Sequence, residues 1–409
     1  MALRKLLLFG LTIGLTLGGL ACAPVTKPVL PAFKSPQSVP HADPDRFSVL
    51  VAEFARDDDE NRDGVGDTTT QLRREFDAWG GEGRQKEGKM GPEVLVLHGI
   101  VNTELRENGG YHDHEEARRW LVKTGARVIL WGFVLEGQTE RDVVLRLTGS
   151  RDRPQGNAFP LEMEWVISRD QWAKVFPVIR LALAIEATGY EDLAGLGLRD
   201  ELPQLVPLVE EQKSARPGRV ESLVALALQA RASRTGEVAL LRRALTMLQE
   251  VSTTDKPTAE AAVSRARLRA MQASVLADWY ELETNEGALL EAIAAYREAA
   301  KELTMSRTPW DFAIVYNQLG RLHERMALQN QSEAPRCAAV DAFWQAAQVT
   351  YDGDVPQYMD TTLRGVQRNL SSLTRRLPSG QKPECNPPID DVLWRTFQAS
   401  EDVRAGRGK

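Results

Sequence analysis

The sequence predicts an α/β domain near the N-terminus followed by an all-α array of helical repeats, with an export signal and a proline-rich tether in front of both. Three observations carry this reading. Ala292-Ile293-Ala294-Ala295-Tyr296-Arg297-Glu298-Ala299-Ala300 returns as Ala339-Val340-Asp341-Ala342-Phe343-Trp344-Gln345-Ala346-Ala347, an offset of 47 residues that Pro309 and Pro356 share. Short apolar runs rich in β-formers alternate with helical spacings between Phe47 and Leu135. From Arg169 onward strand signals stop, and the chain reads as helices separated by short breaks.

The repeated pattern has a physical meaning. A small residue, an aromatic four positions on and an alanine three beyond that share one helical face, which lets two helices approach closely around a ring. A unit of this kind buries its apolar face only by stacking on its neighbours. Such arrays bind partners, so the sequence points to recognition rather than to a reaction. With 43% hydrophobic and 26% charged residues in 409, the chain has the composition of an ordinary globular protein with room for more than one domain. Its formal charge of −6 becomes −8 without residues 1–21, which hold Arg4 and Lys5 but no acid. That balance, with no Lys/Arg-rich run, argues against nucleic acid as a partner.

In chain order, Arg4-Lys5 and the apolar run Leu6 to Leu20 form the pattern of a secretory signal over residues 1–21. The run is too short and glycine-rich to be preferred as a permanent membrane span. It ends at Gly18-Gly19-Leu20-Ala21-Cys22, which resembles the lipobox of bacterial lipoproteins. The resemblance implies that Cys22 is lipidated and becomes the mature N-terminus. Gly19 departs from the branched residue usual three positions before that cysteine, and ordinary cleavage without lipid is the alternative. By the same resemblance Ala23, in place of Asp, points to the outer membrane. Residues 22–46 carry Pro24, Pro28, Pro31, Pro36, Pro40 and Pro44, a composition that favours extended polyproline and reads as a tether of up to ~70 Å.

Phe47 to Phe54, Glu93 to His98 and Ala126 to Leu135 read as buried strands, and Asp142 to Leu147 as another. Thr69 to Trp79 and Glu115 to Thr124 have helical spacing between them, giving an α/β sandwich over residues 47–168. Val49-Leu50-Val51-Ala52-Glu53-Phe54, an acidic loop, a helix and Val128-Ile129-Leu130-Trp131-Gly132 together resemble the N-terminal domain of TolB and related envelope lipoproteins.

Three sites suggest themselves in this domain. Asp59, Asn61, Asp63 and Asp67, with Gly64 at the turn, match the front of a calcium loop. Thr70 stands where the bidentate glutamate belongs, so a solvated acidic loop is the competing reading. His112-Asp113-His114-Glu115-Glu116 holds zinc-type ligands, but Asp113 with Glu116 reads more simply as a capping box. Gly80-Gly81-Glu82-Gly83 follows a helix and lacks the strand-to-helix context of a phosphate loop. No nucleophile elbow, Walker loop or His-Glu-x-x-His motif is present, no cofactor beyond calcium is implied, and an enzyme is not expected.

Residues 169–218 read as a helical connector, with Trp172 to Ala187 and Gln204 to Gln212 as a degenerate leading repeat. Residues 219–377 hold the pairs Leu223 to Ala232 with Ala239 to Val251, Ala259 to Leu282 with Ala288 to Leu303, and Trp310 to Ala327 with Ala334 to Thr350. Asp360 to Leu377 follows as a lone final helix, and residues 378–409 as a tail. Leu319-Gly320 with His323, then Ala339, Phe343 and Ala346, match the signature positions of the tetratricopeptide (TPR) repeat, as do Leu276-Ala277 with Tyr280 and Ala292, Tyr296 and Ala299. The pairs thus resemble a TPR-like α-solenoid, with the surplus over the usual 34 residues placed in the turns. The resemblance implies a groove lined by the first helix of each pair. Helical phase nominates Gln272, Asn317, Arg321 and Arg364 for it.

If Cys22 is acylated, Cys337 and Cys385 are the remaining thiols of an exported chain, and an oxidising compartment pairs them. Their separation of 48 is close to the repeat offset, which brings Cys385 back to the start of the helix carrying Cys337. A buried Cys337 and a free Cys385 thiol are the alternative. The function these features favour is a lipid-anchored envelope scaffold that captures a protein partner on the periplasmic face of the outer membrane. The competing readings are an activator or subunit of an envelope enzyme working through the α/β domain, and a peptidoglycan-associated structural protein.

Overall fold

The computed structural model describes residues 39–54, 67–80, 92–101, 111–136, 141–151, 162–168, 172–190, 198–210, 219–251, 259–350, 356–375, 377–378 and 380–404. The N-terminal part contains β1 (Ser48–Glu53), α1 (Asp67–Gly80), β2 (Glu93–Ile100), α2 (Tyr111–Thr124), β3 (Val128–Glu136), β4 (Arg141–Gly149) and β5 (Glu162–Ser168). They make one mixed sheet in the order β2-β1-β3-β4-β5. β1 runs parallel to both β2 and β3, while β3, β4 and β5 are antiparallel. Parallel neighbours need a crossover, which α1 and α2 supply.

The unbroken apolar run of β1 follows from burial on both faces. Val49 and Val51 pack with Leu72 and Phe76 of α1. Leu50 and Ala52 face the other way, onto Ala117 and Leu121 of α2. β5 is the strand that sequence patterning passes over. Its Met163 and Ile167 are buried, but Glu162 and Glu164 break the apolar run because each pairs with an arginine inside the fold.

Helices follow to the end of the described chain: α3 (Trp172–Thr188), α4 (Leu202–Glu210), α5 (Arg219–Thr235), α6 (Val238–Glu250), α7 (Ala259–Glu283), α8 (Glu286–Ala300), α9 (Pro309–Asn330), α10 (Glu333–Thr350), α11 (Pro356–Thr374) and α12 (Asp391–Arg404). One core runs from the sheet through Ile179 and Leu183 of α3 and Leu205 and Val209 of α4 to Leu223, Leu241 and Leu248 of α5 and α6. The expected connector is therefore a packing layer that joins both parts. Glu201 adds a polar staple, accepting from Trp79 Nε1 at 3.2 Å and pairing with Arg180, whose guanidinium lies over the Trp79 ring.

A second core unites α7, α8 and α9, and a third unites α10, α11 and α12. Here the structure corrects the expected 378–409 tail and the lone final helix. Asp390 caps α12 by accepting from Val392 N at 2.8 Å and Leu393 N at 2.9 Å, and the helix buries Leu393, Trp394 and Phe397 against Val366, Leu370 and Leu373. Disulfide-bonded Cys337 and Cys385, with Cα atoms 5.5 Å apart, tie this closing layer to α10. Among the described residues no helix is long and apolar enough to cross a membrane.

Candidate functional site

The connections between α5 and α6, α7 and α8, and α9 and α10 are two residues each, so each pair folds back on itself and brings the first helices of successive pairs side by side. Those first helices, α5, α7, α9 and α11, exchange side-chain hydrogen bonds across their shared face. Gln229 Nε2 donates to Ser274 Oγ at 2.8 Å and to Asp278 Oδ2 at 2.9 Å, and Ser233 Oγ donates to the same oxygen at 3.1 Å. Arg325 donates to Glu281 at 2.9 Å, Thr362 Oγ1 to Asn317 Oδ1 at 3.3 Å, and Arg368 to both oxygens of Glu324 at 3.1 and 3.0 Å. A face built of such groups stays polar without leaving its donors unmet.

Electrostatics differ along this face. Loss of water raises the Asp278 carboxyl above the usual carboxylate range, against the hydrogen bonds from Gln229 and Ser233 and the charge of Arg321. Burial likewise raises the fully buried Tyr296 phenol, against its hydrogen bond with Ser274. Beyond Arg321 the face opens into a cleft of about 770 Å³ between α9, α10 and α11. Five arginines line it, Arg321, Arg325, Arg336, Arg368 and Arg375, against one acid, Glu324. Phe343 of α10 closes its floor and Leu328, 56% exposed, stands on its wall.

Of the four residues nominated from helical phase, the structure brings Asn317 and Arg321 to this cleft and leaves two elsewhere. Asn317 is buried, not exposed, because α11 covers it through Thr362. Gln272 turns to the preceding pair and donates to the Leu248 carbonyl at 2.9 Å. Arg364 is exposed and pairs with Asp360 on its own helix, one turn short of Arg368, the arginine that reaches the cleft. Sequence reasoning missed Arg325, Arg336, Arg368 and Arg375. The signal was available in the four-residue step from Arg321 to Arg325 and the seven-residue step from Arg368 to Arg375. His323, expected at an aromatic repeat position, is buried in the core and lies 3.3 Å from Arg297; burial and that arginine lower its pKa to about 4.

A second polar cluster lies between the α/β domain and the helices. Glu162 of β5 pairs with Arg118 of α2 and, at 3.2 Å, with Arg267 of α7, which also donates to Asp311 of α9 at 2.8 Å. Burial alone pushes the Glu162 carboxyl up, but Arg118 and Arg267 outweigh it and hold the group well below the usual carboxylate range. Arg151 pairs with Glu115 and stacks over Trp310 of α9, its guanidinium 4.4 Å from the ring centre. Every acid named here has a cationic partner, so the cluster fastens the two parts together and offers no free acid or base.

His114 belongs to the same region. It meets Thr148 Oγ1 at 2.6 Å and the edge of Trp131, and burial lowers its pKa to about 4. Its neighbours Glu115 and Glu116 are taken by Arg118, Arg151 and Arg119. The capping box expected at Asp113 is displaced, since α2 starts two residues earlier at Tyr111. Among the described residues no group of three or more His, Cys, Asp or Glu is placed to hold a metal ion. The lipidation residue Cys22, the calcium residues Asp59, Asn61 and Asp63, the side chains of Asp67, His112 and Asp113 and the glycines from Gly81 lie outside the described residues.

No family model matches this chain, and neither the curated proteins nor the solved structures contain a match to it.

Proposed function

We propose that this chain is a non-catalytic scaffold or adaptor of the bacterial cell envelope, anchored by lipid at Cys22 and capturing a protein partner in the groove of a TPR-like α-solenoid. The observation that carries the reading is the open cleft of about 770 Å³ on the face shared by the first helices, with exposed Leu328 beside charged groups. A concave site with an apolar anchor point and a few polar groups is the form in which proteins take ligands. The TPR-like assignment draws support from the buried small–aromatic–small sets, Ala292, Tyr296 and Ala299 and then Ala339, Phe343 and Ala346.

The export signal, the outer-membrane location and a tether shorter than the expected 22–46 remain part of this proposal; its end is docked on the α/β domain, where Ala42 N donates to the Thr124 carbonyl at 2.7 Å and Asp43 N to Glu93 at 3.0 Å. Mass spectrometry of the mature N-terminus tests the anchor: a diacylated Cys22 is expected, and an unacylated N-terminus refutes it. Affinity capture from envelope extracts tests the groove. Partners bound by the full chain should be lost on Leu328→Asp and kept on Val122→Asp, a change at an exposed site on α2 of the α/β domain. Partners that survive Leu328→Asp but not Val122→Asp would move the activity to the α/β domain and favour the enzyme-activator alternative.

A further inference from the structure

We infer that the cleft between α9, α10 and α11 is selective for an extended acidic peptide segment, one that carries side-chain carboxylates beside an aliphatic residue. This rests on the groove reading above and names the chemistry of its occupant.

Charge is the first reason. The chain carries a net −6, yet five arginines and one glutamate line this cleft, a local balance opposite in sign to the molecule. Two of the five are used within the fold, Arg325 by Glu281 and Arg368 by Glu324. Arg321, Arg336 and Arg375 make no ion pair with any described residue. Arg336 is also badly placed for the stability of its own helix. It sits in the first turn of α10, where the unsatisfied amide groups of the helix terminus already concentrate positive charge. Glu333 of the same turn offsets part of that charge but forms no ion pair with Arg336 among the described residues, which leaves the guanidinium open to an anion from outside. Arginine suits the task because its planar fork of donors matches a carboxylate on two atoms at once.

Shape is the second reason, and it separates a peptide from a compact anion. The lining follows α11 from Thr361 to Arg375, about 21 Å at 1.5 Å per residue, the reach of about six extended residues. Arg368, Ser371 and Arg375 are spread along that length at helical steps rather than gathered at one point. Leu328 sits on the opposite wall, one turn beyond Arg325, and offers an apolar contact between charges. A phosphate or a lipid headgroup uses neither the length nor the leucine. A segment of alternating acidic and aliphatic residues uses both.

The test measures fluorescence anisotropy on the full chain with three probes: a labelled, C-terminally amidated peptide of Glu, Asp and Leu about ten residues long, the same peptide with Gln and Asn for the acids, and vesicles of anionic phospholipid. The acidic peptide is expected to bind, the neutral one to bind at least about tenfold more weakly, and added salt to weaken only the former. Arg336→Gln with Arg375→Gln should cost the acidic peptide about tenfold or more and not lower the melting temperature, since neither arginine pairs with an acid among the described residues. Equal binding of the two peptides, lost on Leu328→Asp, overturns the acidic preference while leaving the groove reading intact. Binding of vesicles through Arg336 and Arg375 with neither peptide bound assigns the cleft to a lipid surface and overturns the inference. Failure of all three probes overturns it as well, whereas the groove reading falls only if Leu328→Asp leaves partner capture unchanged.

Discussion

A single methyl group placed on Gly320 should destabilise the helical array, although at an exposed helical site the same change stabilises. Replacing glycine by alanine inside a helix normally gains ~1 kcal/mol of propensity. At Gly320 the new Cβ would lie 2.7 Å from Cδ1 of Phe343, well inside the ~3.5 Å at which two carbons rest. The ring has no room to retreat, because a Cβ on Gly365 would stand 2.8 Å from its opposite edge. Phe343 is thus gripped between the backbones of α9 and α11, and overpacking of this kind costs ~1–3 kcal/mol. With the pinned ring taking the upper part of that range, the net loss is ~1–2 kcal/mol. Urea unfolding followed by far-ultraviolet circular dichroism measures it, and hydrogen exchange localises it to α9, α10 and α11. Shrinking the ring with Phe343→Leu should relieve the Gly320→Ala penalty, giving a coupling of at least ~0.5 kcal/mol in the double-mutant cycle. If Gly320→Ala raises stability by the ~1 kcal/mol of an exposed site, or shows no coupling to Phe343, the packing described for these helices is wrong.

Further outcomes follow from named groups. His114 and His323 both titrate at about 4 in the folded chain against a reference of 6.5, so between those values the unfolded chain takes up protons that the folded chain refuses. Stability should fall as pH drops through that window, by up to ~3 kcal/mol per histidine, and His323→Phe should flatten the slope measured by urea titration; an unchanged slope refutes the assignment. Asp278, with its raised carboxyl, acts in the opposite sense, gaining stability as pH falls. Glu162→Gln removes the buried carboxylate that Arg118 and Arg267 share, leaving Arg118 only Glu115, which Arg151 also uses, and should cost ~3 kcal/mol at neutral pH. The Glu162 contribution is complete above the ordinary carboxylate pKa of 4.5 and is lost as pH falls through the depressed folded value, so the gap between wild type and variant should narrow in acid. Equal stabilities at neutral pH would show the cluster to be dispensable. Cys337→Ser opens a loop of 48 residues and should cost ~4 kcal/mol in the chain-entropy account, with α12 losing exchange protection first. Non-reducing peptide mapping that finds both cysteines freely alkylated contradicts the bridge.

The parts of this fold that sequence patterning reaches are those whose burial is one-sided in chemistry. β1 and β3 show as apolar runs because both their faces are covered, β2 shows as one although it is an edge strand with only Leu97 fully buried among its described side chains, and α7 to α10 show through the spacing of small and aromatic residues. β5 escapes because its partners are charged: Glu162 and Glu164 read as solvated until Arg118 and Arg146 are brought beside them by chain reversal. α12 escapes because the prolines ahead of it suggest an unstructured tail, while its own signal is short, Asp390 as cap and Leu393, Trp394 and Phe397 as one apolar face. The cleft was only partly legible, since two of the four nominated residues, Asn317 and Arg321, line it. Helical phase identifies the stripe on α9 and α11, but which turn of a stripe is open depends on how closely the next helix approaches. That is why Asn317 is covered by Thr362 while Arg321, one turn on, is not.

The central claim, that partner recognition belongs to the face of the first helices and to the cleft at its end, is tested most directly by photo-crosslinking from two leucines. Leu328 on the cleft wall and Leu290 on α8, a second helix, are similarly exposed, at 56% and 59%. A photoreactive residue placed at 328 should form a covalent adduct with a protein partner in envelope extracts, and the same residue at 290 should not. Adducts at 290 with none at 328, or equal adducts at both, would contradict the claim.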